Sequence, residues 1–562
     1  MTEAALSPLQ IVLCWHMHQP DYFDPTSGRF QDPWTYLHAT KDYVDMVAHL
    51  EAHPDVRAVV NFSPVLLEQI EAYATDLAAV AVGGGPIHDP LLAALQQPLI
   101  PNEREERLML LRACLRGAEN PLFAHFPVYQ KLVDTARHML AQPDEISYLH
   151  DQFFVDLLVW YHLGWIGETV RRTDQRVQDL LAHQRHYSML QCRTLVAVIS
   201  ELITNVVDRY RALADAGRIE LSITPYSHPI LPLLLDLNSA RAAWPECPMP
   251  LSAAYPEGET RARWQLARAR ETFERFFGKP PVGCWPAEGG VCRRSVALAG
   301  EAGFDWVASG QAVLRHSLGA DEPGAEALYR AYRLDPDGPA CFFRDDALAD
   351  AIGFVYRDWH ADDAVADLVE RLETIDAGRT DDGPMVVPII LDGENAWEYY
   401  PDNGYHFLDA LYTALAAHER LATTTFSGYL AEHGEATTRL PRLVAGSWVY
   451  GTFSTWIGDS EKNRAWDMLA AAKHVFDQSA PALDEATRAA AERQLSLCEA
   501  SDWFWWFGGD SAADTVTHFE RLFRVHLAAL YQLLGRDPPD TLAHVFTHGV
   551  SRGHVDTMRR AH

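Results

Sequence analysis

Three carboxylates stand where short apolar runs end. Met385–Leu391 is an unbroken apolar or proline run that leads straight into Asp392, Gly393 and Glu394. A second run, in PPVGCWPAEGG, ends at Glu288, just after Trp285. A buried strand that delivers two carboxylates at its tip is hard to explain by packing, because unpaired buried charge is costly. Glu288 alone has a plainer reading, as a helix-capping or salt-bridged residue. Carboxylates on different strand ends are the minimum equipment for cleaving a glycosidic bond. One must be ionised to attack the anomeric carbon, and the other protonated to donate to the leaving oxygen. Asp392 and Glu394 are two apart, so a strand points them the same way. Their repulsion would raise one pKa, as a general acid requires. Spacing does not say which of them is the acid.

Polar groups of other types follow other runs. In IVLCWHMHQP, alternation puts Cys14, His16 and His18 on one side of a strand. Such an HxH pair can hold zinc, with Asp21 as a candidate third ligand. It can equally hydrogen-bond a polar ligand, or be a satisfied structural pair. Tyr226 and His228 follow GRIELSIT in a proline-bounded turn. The 16 Trp, 21 Tyr and 23 Phe include many in polar, Gly-rich surroundings. A flat apolar ring beside carboxylates offers what a sugar needs.

The runs themselves define the scaffold. Short β-branched stretches recur at 11–15, 58–62, 219–224, 282–285, 305–308, 352–356 and 385–391, with helical spacing between them, as at 40–53 and 261–277. Strands separated by helices predict an α/β fold with a parallel sheet, and seven such units a (β/α)7-type barrel. Residues 80–210 read as a helical insertion. The Gly/Pro/Asp-rich passages near 318–340 and 376–384 read as surface loops. From about 430 the pattern turns helical, over 462–480, 483–502 and 514–535. Val516, Phe519, Phe523, Leu527, Leu530 and Leu534 mark one buried face of the last. The expected organisation is a catalytic barrel over 1–430 and a helical C-terminal domain over 431–562.

Composition bounds the partners. Lys+Arg of 47 against Asp+Glu of 77 gives a net charge of −30, which would repel nucleic-acid phosphates and anionic lipid. No apolar stretch of about 18 residues stands out, so no membrane span is expected. MTEAALSPLQ lacks a cationic start followed by an apolar segment, and the eight cysteines are scattered without a CxxC. A cytoplasmic chain with reduced thiols is the expectation.

In order along the chain, these segments resemble the motifs of glycoside hydrolase family 57, the α-glucan-active enzymes, and more closely its amylase and amylopullulanase branch. HQP (18–20), PYSHPILPLL (225–234), GCWPAE (283–288), LDGENAWE (391–398) and GSWVYGTFSTWIGDSEKNRAW (446–466) resemble its five motifs, and FFRDDALADAIGFVY and SDWFWWFGGD further stretches of that branch. The resemblance implies a (β/α)7 barrel with a helical C-terminal part and a retaining mechanism, with Glu288 as nucleophile and Asp392 as general acid/base. It implies sugar contacts from His18, His228, Trp285, Glu394 and Trp397, and the strand-end reading adds His16 and Tyr226 as binding candidates. Trp448 or Trp456 would line the cleft, and Asp502 and Trp503 could reach it from the C-terminal domain. The partner it implies is an α-glucan oligo- or polysaccharide, with no cofactor and no metal. One departure is Thr224, where some members have a His. It weakens transfer from the glucanotransferase branch.

The leading expectation is hydrolysis of α-1,4 links, with α-1,6 links a further candidate. A 4-α-glucanotransferase or branching enzyme would use the same carboxylates, because a sugar hydroxyl can intercept the glycosyl-enzyme in place of water. A metal-dependent polysaccharide deacetylase built on His16, His18 and an aspartate is a different chemistry. A non-catalytic glycan-binding protein is a third class, and Glu288 with Asp392 argues against it.

Overall fold

The computed structural model describes residues 7–117, 121–319, 325–379, 383–394, 396–509 and 511–550. Seven parallel strands form the core: β1 (Leu9–Met17), β2 (Ala58–Phe62), β3 (Ile219–Ile223), β4 (Gly283–Cys284), β5 (Trp306–Gly310), β6 (Ala340–Arg344) and β7 (Val386–Asp392). Their order is β7-β1-β2-β3-β4-β5-β6. The ring closes where the Asp345 N–H donates to the Pro388 carbonyl at 2.9 Å and Arg344 Nε donates to the Ile390 carbonyl at 2.9 Å. Pro388 has no N–H to offer, so this seam relies on its acceptor and on a side chain. The chain is a (β/α)7 barrel followed by C-terminal helices.

Register matters more than strand count. His16 pairs with Asp392 on one side and with Asn61 on the other, and Asn61 pairs with Ser222. Three strand pairings therefore set an unbroken polar row, Asp392–His16–Asn61–Ser222, across the rim where strands end.

One expected strand is not a strand. Residues 352–356 lie in a π-turn, Ala351–Val355, running into the 3-10 turn Tyr356–Asp358. The sixth strand is Ala340–Arg344 instead. Asp345 explains the difference: its side chain accepts the Leu348 N–H at 2.8 Å and starts a helix at Asp346. The apolar residues that follow are the buried side of that helical stretch. In the two expected loops, residues 320–324 and 380–382 lie outside the described residues. The first also holds a one-turn helix, Ala325–Tyr329, and a two-residue strand, Tyr332–Arg333.

The 80–210 region is helical, ending in the 27-residue helix Met189–Asp215. This helix is long and apolar enough to cross a membrane by composition, with a mean hydropathy of 1.4 over 18 residues. No run of that kind had been expected. Its stripe from Cys192 through Leu195, Ile199, Ile203 and Val206 to Tyr210 is buried in the protein, so the fold uses it as core.

Among the described residues four α-helices follow, Ser460–Ser479, Glu485–Cys498, Ser501–Trp506 and Ala513–Leu533. A buried carboxylate joins them to the barrel. Glu499 takes hydrogen bonds from Arg261 Nε at 2.7 Å, Tyr255 Oη at 2.6 Å and Gln265 Nε2 at 2.6 Å. Gln265 Oε1 in turn accepts the Ser227 N–H at 3.0 Å, one residue before His228.

Candidate active site

His16, His18 and His228 meet at the rim. The His18 and His228 rings stack at 3.8 Å and 14°, and His16 lies 5.2 Å from His228. Every ring nitrogen is engaged. Asn61 Nδ2 donates to Ser222 Oγ at 3.0 Å, which turns its Oδ1 towards His16 Nδ1 at 2.7 Å. His16 therefore carries its proton on Nδ1, and its bare Nε2 accepts from His228 Nε2 at 3.2 Å. His228 Nδ1 then accepts from Ser501 Oγ at 2.8 Å. This assignment follows from the hydrogen-bond network. Burial, reinforced by the neighbouring imidazoles, pushes His16 down to about 3 and His228 well below the ordinary range. Both are neutral at pH 7. His18 meets Ser63 Oγ and Asp502 Oδ1, each at 2.8 Å.

Glu288 is held in a left-handed conformation, φ +57°, and so is His228, φ +62°. Such backbone costs on the order of 1–3 kcal/mol per residue and persists only when its surroundings impose it. The same device holds both. The Trp448 N–H donates to the Glu288 carbonyl at 3.0 Å, and the Ser501 N–H to the His228 carbonyl at 3.0 Å. Trp448 also places its indole N–H on Glu288 Oε2 at 2.8 Å, and its ring meets Trp285 edge-on at 5.1 Å. Arg344, from the end of β6, lies over the Trp448 ring at 5.1 Å.

Glu394 is buried beside the tip of β7. Its Oε1 accepts the His18 N–H at 3.2 Å, Gln19 Nε2 at 3.2 Å and Tyr43 Oη at 3.3 Å. Its Oε2 has no partner among the described residues. Burial first, and then the charge of Asp392, hold its pKa well above the carboxylate range, against the His18 and Gln19 hydrogen bonds. That direction favours the neutral form of Glu394. Tyr43 reaches it from a π-turn, Ala39–Tyr43, of the kind that clusters at functional sites.

Exposure sorts the expected residues into two layers. Glu288, Asp392, His18, Trp448 and Asp502 keep part of their surface open. His16, His228, Trp285 and Glu394 are buried. Four others turn their polar atoms elsewhere. Tyr226 donates to Glu68 Oε2 at 2.6 Å and packs on Trp264. The Trp397 N–H goes to the Gly393 carbonyl at 3.0 Å, so it braces the turn after β7. Trp456 is wholly buried, against Trp505. Trp503 donates to the Leu497 carbonyl at 2.7 Å and packs on Phe523 and His526. Between the two motif tryptophans, Trp448 is the one that touches a catalytic candidate. Asn61, Ser63 and Ser501 were not expected. Asn61 and Ser63 end the run AVVNFS, so the strand-end rule that found His16 also points to them.

Asp21 does not join the histidines. Its Oδ1 accepts the Phe23 N–H at 2.9 Å, and its Oδ2 lies 3.6 Å from Arg493. His18, His228 and Asp502 are close enough together to invite a metal. Ligands around tetrahedral zinc, however, radiate from the ion at about 2.0–2.1 Å. Two parallel imidazoles stacked at 3.8 Å do not aim their nitrogens at one point. The trio fits a hydrogen-bonded network better than a metal centre.

The profile described as "Glycosyl hydrolase family 57" matches residues 12–441. No curated protein matches the chain. Among solved structures, a family 57 branching enzyme from Pyrococcus horikoshii is 16% identical with a TM-score of 0.57, over 95% of this chain and 93% of its own. The branching enzyme from Thermococcus kodakaraensis is 15% identical with a TM-score of 0.58, over 94% and 90%. An α-amylase from Thermotoga maritima is 15% identical with a TM-score of 0.53, over 95% and 96%. At such identities the structures show a shared fold, whereas the profile covers most of the chain and shows descent. The chain belongs to glycosyl hydrolase family 57.

Proposed function

We propose that this protein is a retaining α-glucan hydrolase that cleaves α-1,4-glucosidic bonds of starch, glycogen or maltodextrins, in the manner of the amylase branch. One observation carries the reading: the expected residues that keep open surface at the rim are the two carboxylates of the double displacement, flanked by an indole, an imidazole and a third carboxylate. Glu288 attacks the anomeric carbon while Asp392 gives its proton to the leaving oxygen. Asp392 then takes a proton from the water that displaces Glu288. The Trp448 N–H orients the nucleophile, and Glu394, fixed by three donors, stands beside Asp392. Eight free cysteines, seven of them buried, support a reducing, cytoplasmic setting.

Transfer to a sugar hydroxyl uses the same carboxylates, and the solved relatives include branching enzymes. Product analysis with maltooligosaccharides, amylose and pullulan separates the two. Products that are only shorter support hydrolysis, and release from pullulan reports α-1,6 cleavage. A ladder extending both ways from a single maltooligosaccharide would overturn hydrolysis in favour of transfer.

A further inference from the structure

We infer that His49, His53 and Asp409 form a second site, outside the glucan cleft, for a divalent transition cation of the zinc class. His49 and His53 are four residues apart at the C-terminal end of the helix Val44–Ala52, and Asp409 lies on the helix Tyr405–Ala417 that follows β7. One ring nitrogen of each histidine and one oxygen of Asp409 all lie within 4.8 Å of one another. Two histidines at i and i+4 share a helix face, the spacing by which helices present imidazole pairs to zinc.

The second shell is already in place. His53 Nδ1 lies 2.9 Å from the His49 carbonyl and donates to it, which leaves the Nε2 lone pair facing outward. Metal-bound imidazoles are oriented in this way, by giving their other N–H to a backbone carbonyl. His53 Nε2 lies 3.4 Å from Asp409 Oδ1 and 3.3 Å from Thr413 Oγ1. His49 is 3% exposed, and its Nε2 has no partner among the described residues. Tyr405, at 5.1 Å, and Tyr412 wall the ring in. Burial brings the His49 imidazole down to about 4, so it is neutral at pH 7 and has a lone pair to give. The Asp409 side chain is half exposed and free to rotate towards the histidines. Two imidazoles and one carboxylate, with water in the fourth position, suit zinc, cobalt or nickel over calcium or magnesium.

Neither of the other two His/carboxylate groups found among the described residues competes on these terms. The rim trio is stacked. In the group His38, Asp42 and Glu398, the Lys41 ammonium already stands 2.7 Å from Asp42 and 4.0 Å from Glu398. The proposed ion would tie the helix after β1 to the helix after β7, the two strands that carry His16 and Asp392. His53 precedes β2 by a short link, which puts the site towards the end of the barrel where strands begin, away from the catalytic rim.

The test uses the full chain, stripped with a chelator and titrated with zinc chloride by calorimetry, alongside His53→Gln, Asp409→Asn and the double variant. The expected result is one zinc per chain and at least a tenfold loss of affinity in each single variant. A zinc-dependent rise in Tm of a few degrees should appear in the wild type and vanish in the double variant. Calcium chloride should give no heat. Turnover of maltooligosaccharides in metal-free buffer should be the same in all four proteins, which also shows that the variants are folded. Zinc binding of wild-type strength in the double variant, no zinc binding by the wild type, or binding removed by Asp502→Asn would each overturn the site.

Discussion

At the scale of single residues, chemistry and position can be separated by substitution. Glu288→Gln should leave the fold intact and lower kcat by several orders of magnitude, because it removes a covalent step. A folded Glu288→Gln protein with near-normal turnover in a starch assay would remove Glu288 from the mechanism. Asp392→Asn should abolish starch cleavage yet spare the glycosylation step with an activated aryl glycoside, whose leaving group needs no proton. Azide should then rescue turnover of that donor. Glu394→Gln should instead slow both substrates in similar proportion, since Glu394 is buried and acts through Asp392. If the azide rescue belongs to Glu394→Gln, the acid is Glu394. Trp448→Phe keeps the ring but removes the N–H from Glu288 Oε2. A hydrogen bond to a charged group contributes roughly 1.5–3 kcal/mol, so kcat should fall by about ten- to a hundredfold with little change in KM. An unchanged kcat would show that the indole only packs.

At the scale of elements, the C-terminal helices belong to the site as much as the strands do. The helix Ser501–Trp506 gives its first N–H to the strained His228 carbonyl, its first hydroxyl to His228 Nδ1 and its Asp502 carboxylate to His18. Glu499, just before it, is the buried anchor to the helix Gly258–Phe277. Glu499→Gln leaves the Arg261 guanidinium buried without its counter-charge. Breaking a buried pair in this way costs on the order of 3–5 kcal/mol. Urea unfolding should show the loss, and activity should fall with it, because the same contact chain runs through Gln265 to Ser227. Asp502→Asn, by contrast, keeps an oxygen for His18 and should leave stability nearly unchanged while raising KM, since Asp502 keeps part of its surface open at the rim. A large drop in Tm for Asp502→Asn would make it a structural residue.

At the scale of the whole molecule, buried histidines set the acid limit. Burial lowers His16 to about 3, and His49 and His162 each to about 4, with His228 lowered as well. In the unfolded chain these groups take up a proton near pH 6.5, whereas the folded chain refuses it. Between pH 6.5 and about 4 the unfolded state therefore binds more protons, and stability falls as pH falls, at about 1.4 kcal/mol per pH unit for each group. The raised acids work the other way. Asp89, at about 6, Asp346, at about 7, and Glu394 stay protonated in the fold, which favours the folded state in acid and weakens it as pH rises through those values. With His526 lowered as well and Asp45 raised, five histidines stand against four carboxyls, which leaves a net loss below pH 6. His162 is remote from the rim, bonded to Tyr36 Oη and to the Leu158 carbonyl. His162→Gln should flatten the pH dependence of the urea midpoint between pH 4 and 6.5, even if it lowers the midpoint throughout. A slope equal to that of the wild type would contradict a neutral His162.

What the sequence determined by itself is what depends on short windows. Apolar runs ending in polar residues located six of the seven strands and, at their tips, Glu288, Asp392, Glu394, His16 and His18, because alternation and strand length are local properties of the chain. The window at 352–356 misled, because a helix cap at Asp345 lies outside it. What only the tertiary structure decided is how residues far apart in sequence divide one polar network. Trp448 and Trp456 read alike as letters, and 160 positions separate Trp448 from the Glu288 it contacts. Tyr226 follows a strand as His228 does, yet Glu68 and Trp264 turn it away from the rim. The raised pKa of Glu394 rests first on burial, which no run of neighbours encodes, and only then on the nearby Asp392. Strand tips are written locally, but desolvation and hydrogen-bond partnership depend on every element that packs over them.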